Sequence, residues 1–454
     1  MAIVNSISGT RATLEEFTPK FIEKYAAAFN SFIPSGTIII GRDGRPSGVE
    51  IEKVLIDTFV KLGRKIEIIG VVPTPTVQLM VEHTDAVGGI IITASHNPEN
   101  WNGLKFLNSK GVFLDAEENK KFWSYLDIPI NYVDIKAKEL LVSYNKNALD
   151  FHINRLLSVD FIKNNIDFIR EKKYTLVVDA VNASGSFIVC NLLERLNCNV
   201  VRLYCDGTGV FPHTPEPLPV NLTDLANAVS ENNADLGVAV DPDADRLVLV
   251  DNKGNNVWEE HTICIAVNSV LELLGNKNIN IAVNQSTTQL VDYIANLYSA
   301  NVSRSAVGEI NVVKKMQETN SVIGGEGSGG VILPYCHYGR DSLVGILLVL
   351  ALISRKNITL SELIDTYPVY QMIKKKYPLN KDFNDIRQYL LKYYEGENIS
   401  LIDGIKINFK DTSWVHIRSS NTEPIIRVIA EAKQNEASII IDNITKVLKS
   451  ENYI

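Results

Sequence analysis

Three carboxylates recur at alternate positions in Asp241-Pro242-Asp243-Ala244-Asp245-Arg246. In an extended segment such residues face one side, so their oxygens can converge on one hard cation. An EF-hand loop is the competing reading, but it needs Gly at its sixth position and Glu at its twelfth. Those places hold Arg246 and Asn252, and the flanks LGVAV and LVLVD read as strands. A solvated acidic turn is the plainer alternative. Close carboxylates repel one another at low dielectric unless a cation intervenes, which favours a metal.

Three other loops carry residues of chemical interest. In Thr93-Ala94-Ser95-His96-Asn97-Pro98 a serine follows a buried strand, where its Oγ could be a nucleophile or carry a phosphate. Isolated serines in such turns more often cap local backbone, and the absence of a GxSxG elbow argues against a hydrolase. Gly325-Glu326-Gly327-Ser328-Gly329-Gly330 satisfies GxGxxG, yet the following VILP is strand-like. A dinucleotide site needs a helix there, and a kinase would need HRD and DFG segments. The glycines suit a close approach of backbone to ligand, with Glu326 as acceptor and Ser328 as donor; a tight turn without ligand is equally open. Arg418-Ser419-Ser420-Asn421-Thr422-Glu423-Pro424, with Arg427 beyond, offers two guanidinium forks, hydroxyls and an amide to a phosphate dianion. Alone, two arginines at a strand end are more often surface charge.

Each of these loops follows a predicted strand, which is where open α/β sheets bind ligands. Short β-branched runs alternate with amphipathic helices: strands at Thr37–Ile40, Lys65–Ile69 and Gly89–Thr93, with helices at Val49–Leu62 and Thr76–His83. A second unit has strands Leu176–Asp179, Asn199–Tyr204 and Leu236–Val240 and helices Phe187–Leu196 and Leu222–Asn232. A third has helices Glu260–Leu274 and Thr288–Asn296 and strands Ile279–Val283, Val302–Ser305 and Ser321–Gly324. After Tyr367-Pro368 the pattern predicts a helix, strands near Ile405–Phe409, Trp414–Arg418 and Ile425–Ala432, and a closing helix Glu436–Leu448, a small α+β unit. The expected units are 1–150, 151–254, 255–367 and 368–454, and no short-period repeat is visible.

At 454 residues the chain is long enough for several cores. Its net charge of -8 argues against non-specific attraction to nucleic acid or anionic membrane, so any phosphate grip must be local. The first residues show no signal-peptide pattern. The longest apolar run, Leu343 to Ile353, is too short for a bilayer and reads as a buried helix. Five cysteines (Cys190, Cys198, Cys205, Cys264 and Cys336) without a CxxC pair fit a reducing, cytoplasmic setting.

Taken in order, the four loops resemble those of the α-D-phosphohexomutase family: TASHNP its phosphoserine loop, DPDADR its metal loop, GEGSGG its sugar-binding loop and RSSNTEP its phosphate-binding loop. SGTRAT, GRDGRPSG, PTPT, WNGLK and TPEPLPVNLTDL are also similar, so the resemblance spans nearly the whole chain. It implies three related mixed α/β domains around a central cleft plus a C-terminal α+β domain. It further implies a phosphoserine at Ser95, and one Mg²⁺ held by Asp241, Asp243, Asp245 and a serine-phosphate oxygen. A hexose bisphosphate would be both activator and intermediate. Arg11, Arg246 and Lys105 would add positive charge around the transferred group, with His96 completing the catalytic set. Lys105 is also the expected proton-transfer group, since a lysine crowded by cations can have a lowered pKa; a plain surface lysine is the alternative. Arg418, Ser420, Asn421, Thr422 and Arg427 would hold the phosphate that is not reacting, and Glu326 and Ser328 the sugar hydroxyls.

Two departures from the family pattern stand out. Gly330 occupies a place where many members have histidine, leaving His337 as a possible substitute or a core residue; Gly9-Thr10-Arg11-Ala12 keeps the N-terminal arginine in an altered frame. GEGSGG, HYGRDS and WNGLK together most resemble phosphoglucosamine mutases, which implies interconversion of glucosamine 6-phosphate and glucosamine 1-phosphate. Phosphomannomutase/phosphoglucomutase activity is the alternative, and an inactive sugar-phosphate binder or a Mg²⁺-dependent phosphatase are readings from other classes. The expected partner is a small phosphosugar, without nucleic acid or membrane, for a monomer or homodimer.

Overall fold

The computed structural model describes residues 3–134, 138–275, 278–420, 425–433 and 436–454, arranged around four sheets. The first contains β1 (Val4–Ser6), β2 (Gly9–Thr13), β3 (Thr37–Arg42), β4 (Ile66–Val71), β5 (Ala86–Ile92), β6 (Trp101–Leu107) and β7 (Val142–Tyr144), ordered β1-β2-β6-β5-β3-β4-β7. The second has β8 (Thr175–Asp179), β9 (Asn199–Leu203), β10 (Leu236–Val240) and β11 (Leu247–Val250), ordered β11-β10-β8-β9. The third has β12 (Asn280–Asn284), β13 (Asn301–Ser305), β14 (Ile323–Glu326) and β15 (Gly330–Ile332), ordered β13-β12-β14-β15.

One topology recurs in all three sheets. Three parallel strands are followed by an antiparallel fourth that pairs with the third: β6 on β5, β11 on β10, and β15 on β14. The three chemistry-bearing loops are the same connection in each copy, leading from the third strand into the fourth. The parallel strands are continuous apolar runs because helices cover both faces; Ile38, Ile39, Ile40, Ile90, Ile91 and Ile92 are all fully buried. The run Leu343 to Ile353 lies in the buried helix Ser342–Lys356, and among the described residues no helix is long and apolar enough to cross a membrane.

The fourth sheet is antiparallel: β16 (Tyr370–Pro378), β17 (Asn398–Ser400), β18 (Ile405–Asn408), β19 (Trp414–Ser419) and β20 (Ile425–Lys433), ordered β16-β20-β19-β18-β17. The expectation of a helix directly after Pro368 is corrected here, since β16 comes first and the helix Phe383–Tyr393 follows. Lys374-Lys375-Lys376 masks the strand's alternation, and such lysines are tolerated because β16 is an edge. The sheet docks on the third unit through buried polar contacts. Glu431 accepts from Thr288 Oγ1, Gln289 N and Trp414 Nε1, and Lys406 Nζ donates to Gln285 O at 2.8 Å.

A buried brace ties the first and second units to the third. Asp341 caps the helix Ser342–Lys356, its Oδ1 accepting from Leu343 N at 2.9 Å. Its Oδ2 accepts from His152 Nε2 at 2.8 Å and His337 Nε2 at 3.1 Å, while His152 Nδ1 lies 2.9 Å from Thr76 Oγ1. His337 is thus a core residue, fully buried, and does not reach the cleft. Burial works against the Asp341 carboxylate, but the two imidazoles outweigh it and hold its pKa below the ordinary value. A depressed carboxylate pKa contributes stability above about pH 4 that is lost as pH falls through the folded value. Asp341→Ala removes a cap and the acceptor of both imidazole Nε2 groups, so thermal or urea unfolding at pH 7 should show a loss of about 3 kcal/mol; an unchanged midpoint would exclude the brace.

Candidate functional site

The loop after β5 holds Ser95 in a left-handed backbone conformation, φ +51°, which costs a non-glycine residue about 1 kcal/mol or more. A fully buried guanidinium maintains it. Arg45 donates from Nη2 to Ser95 O at 2.5 Å and Asn97 O at 2.8 Å, and from Nη1 to Pro98 O at 2.8 Å. Asp43 fixes that fork, accepting from Arg45 Nε at 3.0 Å and from Thr93 Oγ1 at 2.6 Å. The Ser95 side chain thereby points across to the second sheet, where Oγ donates to Asp241 Oδ2 at 2.9 Å.

Asp241, Asp243 and Asp245 are fully buried, with one carboxylate oxygen from each lying within 4.8 Å of the others. Their surroundings come from several segments. Thr74 Oγ1 donates to Asp243 Oδ2 at 2.6 Å, and Lys105 Nζ lies 2.5 Å from the same oxygen and 3.4 Å from Asp245 Oδ2. Arg340 Nη2 donates to Asp245 Oδ2 at 2.6 Å, and Arg246 Nε lies 3.9 Å from its Oδ1. Burial and the charges of Asp245 and Asp243 raise the Asp241 pKa well above the usual carboxylate range. Burial also opposes ionisation of Asp243, but Lys105 beside it wins and keeps it charged. The Oδ1 atoms of Asp243 and Asp245 are buried without hydrogen-bond partners. Two orphaned acceptors in an all-oxygen donor set fit a hard divalent cation.

Lys105 corrects one expectation. Burial does lower its pKa, but the adjacent Asp243 and Asp245 outweigh both burial and the cations Arg11 and Arg340, so the net shift is upward. In this arrangement the group is an ammonium that donates to Asp243. His96 lines the same cleft, its Nδ1 3.4 Å from Ser95 Oγ. The charge of Arg246, burial and the charge of Arg11 push its pKa down to about 2, so the ring is neutral. Arg11, on β2, donates to Asn97 Oδ1 at 3.1 Å.

The cleft, about 560 Å³, is lined by residues from all four units. From the third come Glu326 and Ser328 in the β14–β15 turn, together with Glu309 and Arg340. Glu326 accepts from Asn284 Nδ2 at 2.8 Å, Gly308 N at 3.0 Å and Arg340 Nη1 at 2.8 Å. Arg340 also approaches Glu309 Oε2 at 3.1 Å. One guanidinium thus joins carboxylates from three segments, and these raise its pKa well above the usual value despite burial. Gly330 makes room for it, because a Cβ there would fall 2.3 Å from Arg340 Cδ. A side chain at 330 and Arg340 as placed exclude each other.

Arg418 and Arg427 line the opposite wall, directly across from one another on β19 and β20. Ser420 N donates to Ile425 O at 2.9 Å, whereas Asn421 and Thr422 lie outside the described residues. Sequence reasoning missed Arg45, Thr74, Glu309 and Arg340. Their signals, an arginine two residues after a strand-end aspartate and one following Gly339, mean little until folding surrounds them with partners.

With this geometry in place, comparison with known proteins assigns the class. Domain I of the phosphoglucomutase/phosphomannomutase family (alpha/beta/alpha) matches residues 5–127, domain II 156–254, domain III 258–370 and the C-terminal domain 374–439. A phosphoglucomutase/phosphomannomutase of Thermococcus kodakarensis is 34% identical over 93% of this chain and 92% of its own. A phosphoglucosamine/phosphogalactosamine mutase of Sulfurisphaera tokodaii is 30% identical over 96% and 97%. The crystal structure of a Burkholderia thailandensis family protein superposes with TM-score 0.84 at 24% identity, covering 99% of this chain and 98% of that one. The chain belongs to the phosphoglucomutase/phosphomannomutase family of α-D-phosphohexomutases. It is accordingly an enzyme, an intramolecular phosphotransferase of the phosphohexomutase class.

The Arg45 clamp generates a kinetic expectation. Arg45→Lys keeps the charge but loses the planar fork, and a group displaced by about 1 Å from its reacting position costs on the order of a hundredfold in rate. Steady-state kinetics should show kcat falling by about that factor with KM within twofold; a KM effect alone would mean that Arg45 does not position Ser95.

Proposed function

We propose that the enzyme interconverts glucosamine 6-phosphate and glucosamine 1-phosphate through a phosphoserine at Ser95. The observation that carries this reading is the 2.9 Å contact between Ser95 Oγ and Asp241 inside a buried three-aspartate cluster, on loops whose next residues, His96 and Arg246, line one cleft with Arg418 and Arg427. Asp241, Asp243 and Asp245, with a serine-phosphate oxygen, would hold one Mg²⁺. When bound, that ion supplies positive charge to the phosphoryl oxygens, the main catalytic need of this chemistry.

In the first transfer the free hydroxyl of the bound sugar phosphate attacks the Ser95 phosphorus. The phosphorus–Oγ bond breaks, and the net proton released by the hydroxyl ends on Ser95 Oγ. The product is a sugar bisphosphate, which turns over within the cleft. Ser95 Oγ then attacks its other phosphate, regenerating phosphoserine and releasing the isomer. Hexose bisphosphate also serves as activator by charging an unphosphorylated enzyme. Lys105, Arg11 and Arg246 supply cationic charge beside the transferred group, and the neutral His96 offers hydrogen bonding rather than a proton at pH 7. Arg418, Arg427, Ser420, Asn421 and Thr422 hold the phosphate that is not reacting. Glu326 and Ser328 exchange contacts with the sugar hydroxyls in its two orientations.

Glucosamine is favoured by the curated relatives that carry that activity in their names. The name of the Thermococcus relative favours a second reading, in which mannose or glucose phosphates are the substrates.

Peptide mass spectrometry should find phosphate on Ser95, and turnover should be fastest on glucosamine 6-phosphate compared with glucose and mannose 6-phosphates. Faster turnover of either of the latter would change the substrate and keep the mechanism; a fully active Ser95→Ala enzyme would end the phosphoserine reading. Asp243→Ala should lose at least about a hundredfold in Mg²⁺-dependent kcat while remaining folded by circular dichroism. Unchanged activity would remove the acidic loop from the chemistry.

A further inference from the structure

The fourth sheet places three cations in one row across three adjacent strands. Lys376 on β16 lies directly opposite Arg427 on β20, and Arg427 directly opposite Arg418 on β19. Directly paired residues point to the same face, and all three line the cleft. Like charges set opposite one another destabilise a sheet, so a row of three needs an anion to make it favourable. Among the described residues none of the three forms an ion pair, and Arg418 Nε and Arg427 Nε are buried without hydrogen-bond partners. Burial and the neighbouring charge of Arg427 lower the Arg418 pKa while Asp403 acts against them.

The neighbouring lysines of the same strand behave differently. Lys374 is 3.1 Å from both Glu259 and Glu260, and Lys375 turns to the other face toward Asp442 at 3.9 Å. Edge lysines commonly guard a sheet against pairing with another chain. All three of these lysines are exposed at the rim of the cleft, but Lys375 leans toward Asp442, whereas Lys376 shares the face of Arg427 and has no carboxylate within ion-pair distance among the described residues.

We infer that Lys376 is a third substrate-binding cation, closing the phosphate subsite of Arg418 and Arg427 from the edge strand. Its ligand is the phosphate dianion of a hexose phosphate, or the distal phosphate of a hexose bisphosphate. This inference rests on the phosphate-binding reading of the two arginines. Two guanidinium forks give the subsite its geometry, while the flexible ammonium adds a point charge that follows the phosphate as the sugar changes orientation. An edge strand suits this task, because its outer side leaves the lysine room to move.

The test compares Lys376→Met, Lys376→Arg, Lys433→Met and Arg427→Ala by steady-state kinetics with whichever hexose 6-phosphate the wild type turns over fastest. Inorganic phosphate serves as competitive inhibitor. Lys376→Met should raise KM and the phosphate inhibition constant by roughly three- to tenfold, with kcat within twofold and an unchanged melting temperature. Lys376→Arg should restore both constants, and Lys433→Met, an exposed position on β20 away from the cleft, should resemble the wild type. If Arg427→Ala raises KM but Lys376→Met does not, the inference fails and the subsite stands. If neither substitution moves KM or phosphate inhibition, the phosphate subsite itself is wrong and the inference falls with it.

Discussion

Three aspartates buried together at one loop form a charge cluster that the second sheet cannot stabilise alone. At an effective dielectric near 20, unit charges about 4 Å apart still interact by about 4 kcal/mol. The protein answers by importing partners from other units: Ser95, Thr74 and Lys105 from the first and Arg340 from the third. These contacts make the acidic loop the electrostatic joint of three units as well as the place where a cation would sit. The same demand explains why Lys105 is held as an ammonium, since its neighbours within 3.4 Å are carboxylates and not other cations.

Around that joint the architecture repeats itself. Each of the first three sheets sends its third strand back through a loop into an antiparallel fourth, and in each case that loop faces the common cleft. One loop offers a serine, one a carboxylate trio and one a glycine-rich turn, so three copies of a single connection divide the chemistry among them. A conformation as strained as that of Ser95 persists because the surrounding structure fixes it, in this case through the Arg45 fork.

The fourth sheet is built on different terms. One end of its inner face is pinned to the third unit by Glu431, Lys406 and Lys374, and its other end overhangs the cleft with unpaired positive charge. The result is a basic wall in a chain whose net charge is -8. Attraction for an anion is therefore confined to a few named side chains, and the bulk of the surface repels it.

Most of the elements were legible because hydrophobic periodicity is local. The helix Glu260–Leu274 and the strand Leu236–Val240 have the bounds that their patterns predict, and the first three loops lie at the strand ends where they were expected. Strand β16 escaped notice because three lysines broke its alternation, and the threefold sheet topology was expected only from the family resemblance, because it is preserved in hydrogen-bond order and not in residue identity. Residue types and spacing by themselves determined which chemistries were available: a serine, three carboxylates and paired guanidinium forks. Only the tertiary structure decided which of them meet, that Lys105 lies against two carboxylates, that His337 belongs to a buried brace, and that Arg340 fills the space beside Gly330. The physical reason is that a side chain's charge, exposure and partners depend on residues often more than a hundred positions away, and no local pattern carries that information.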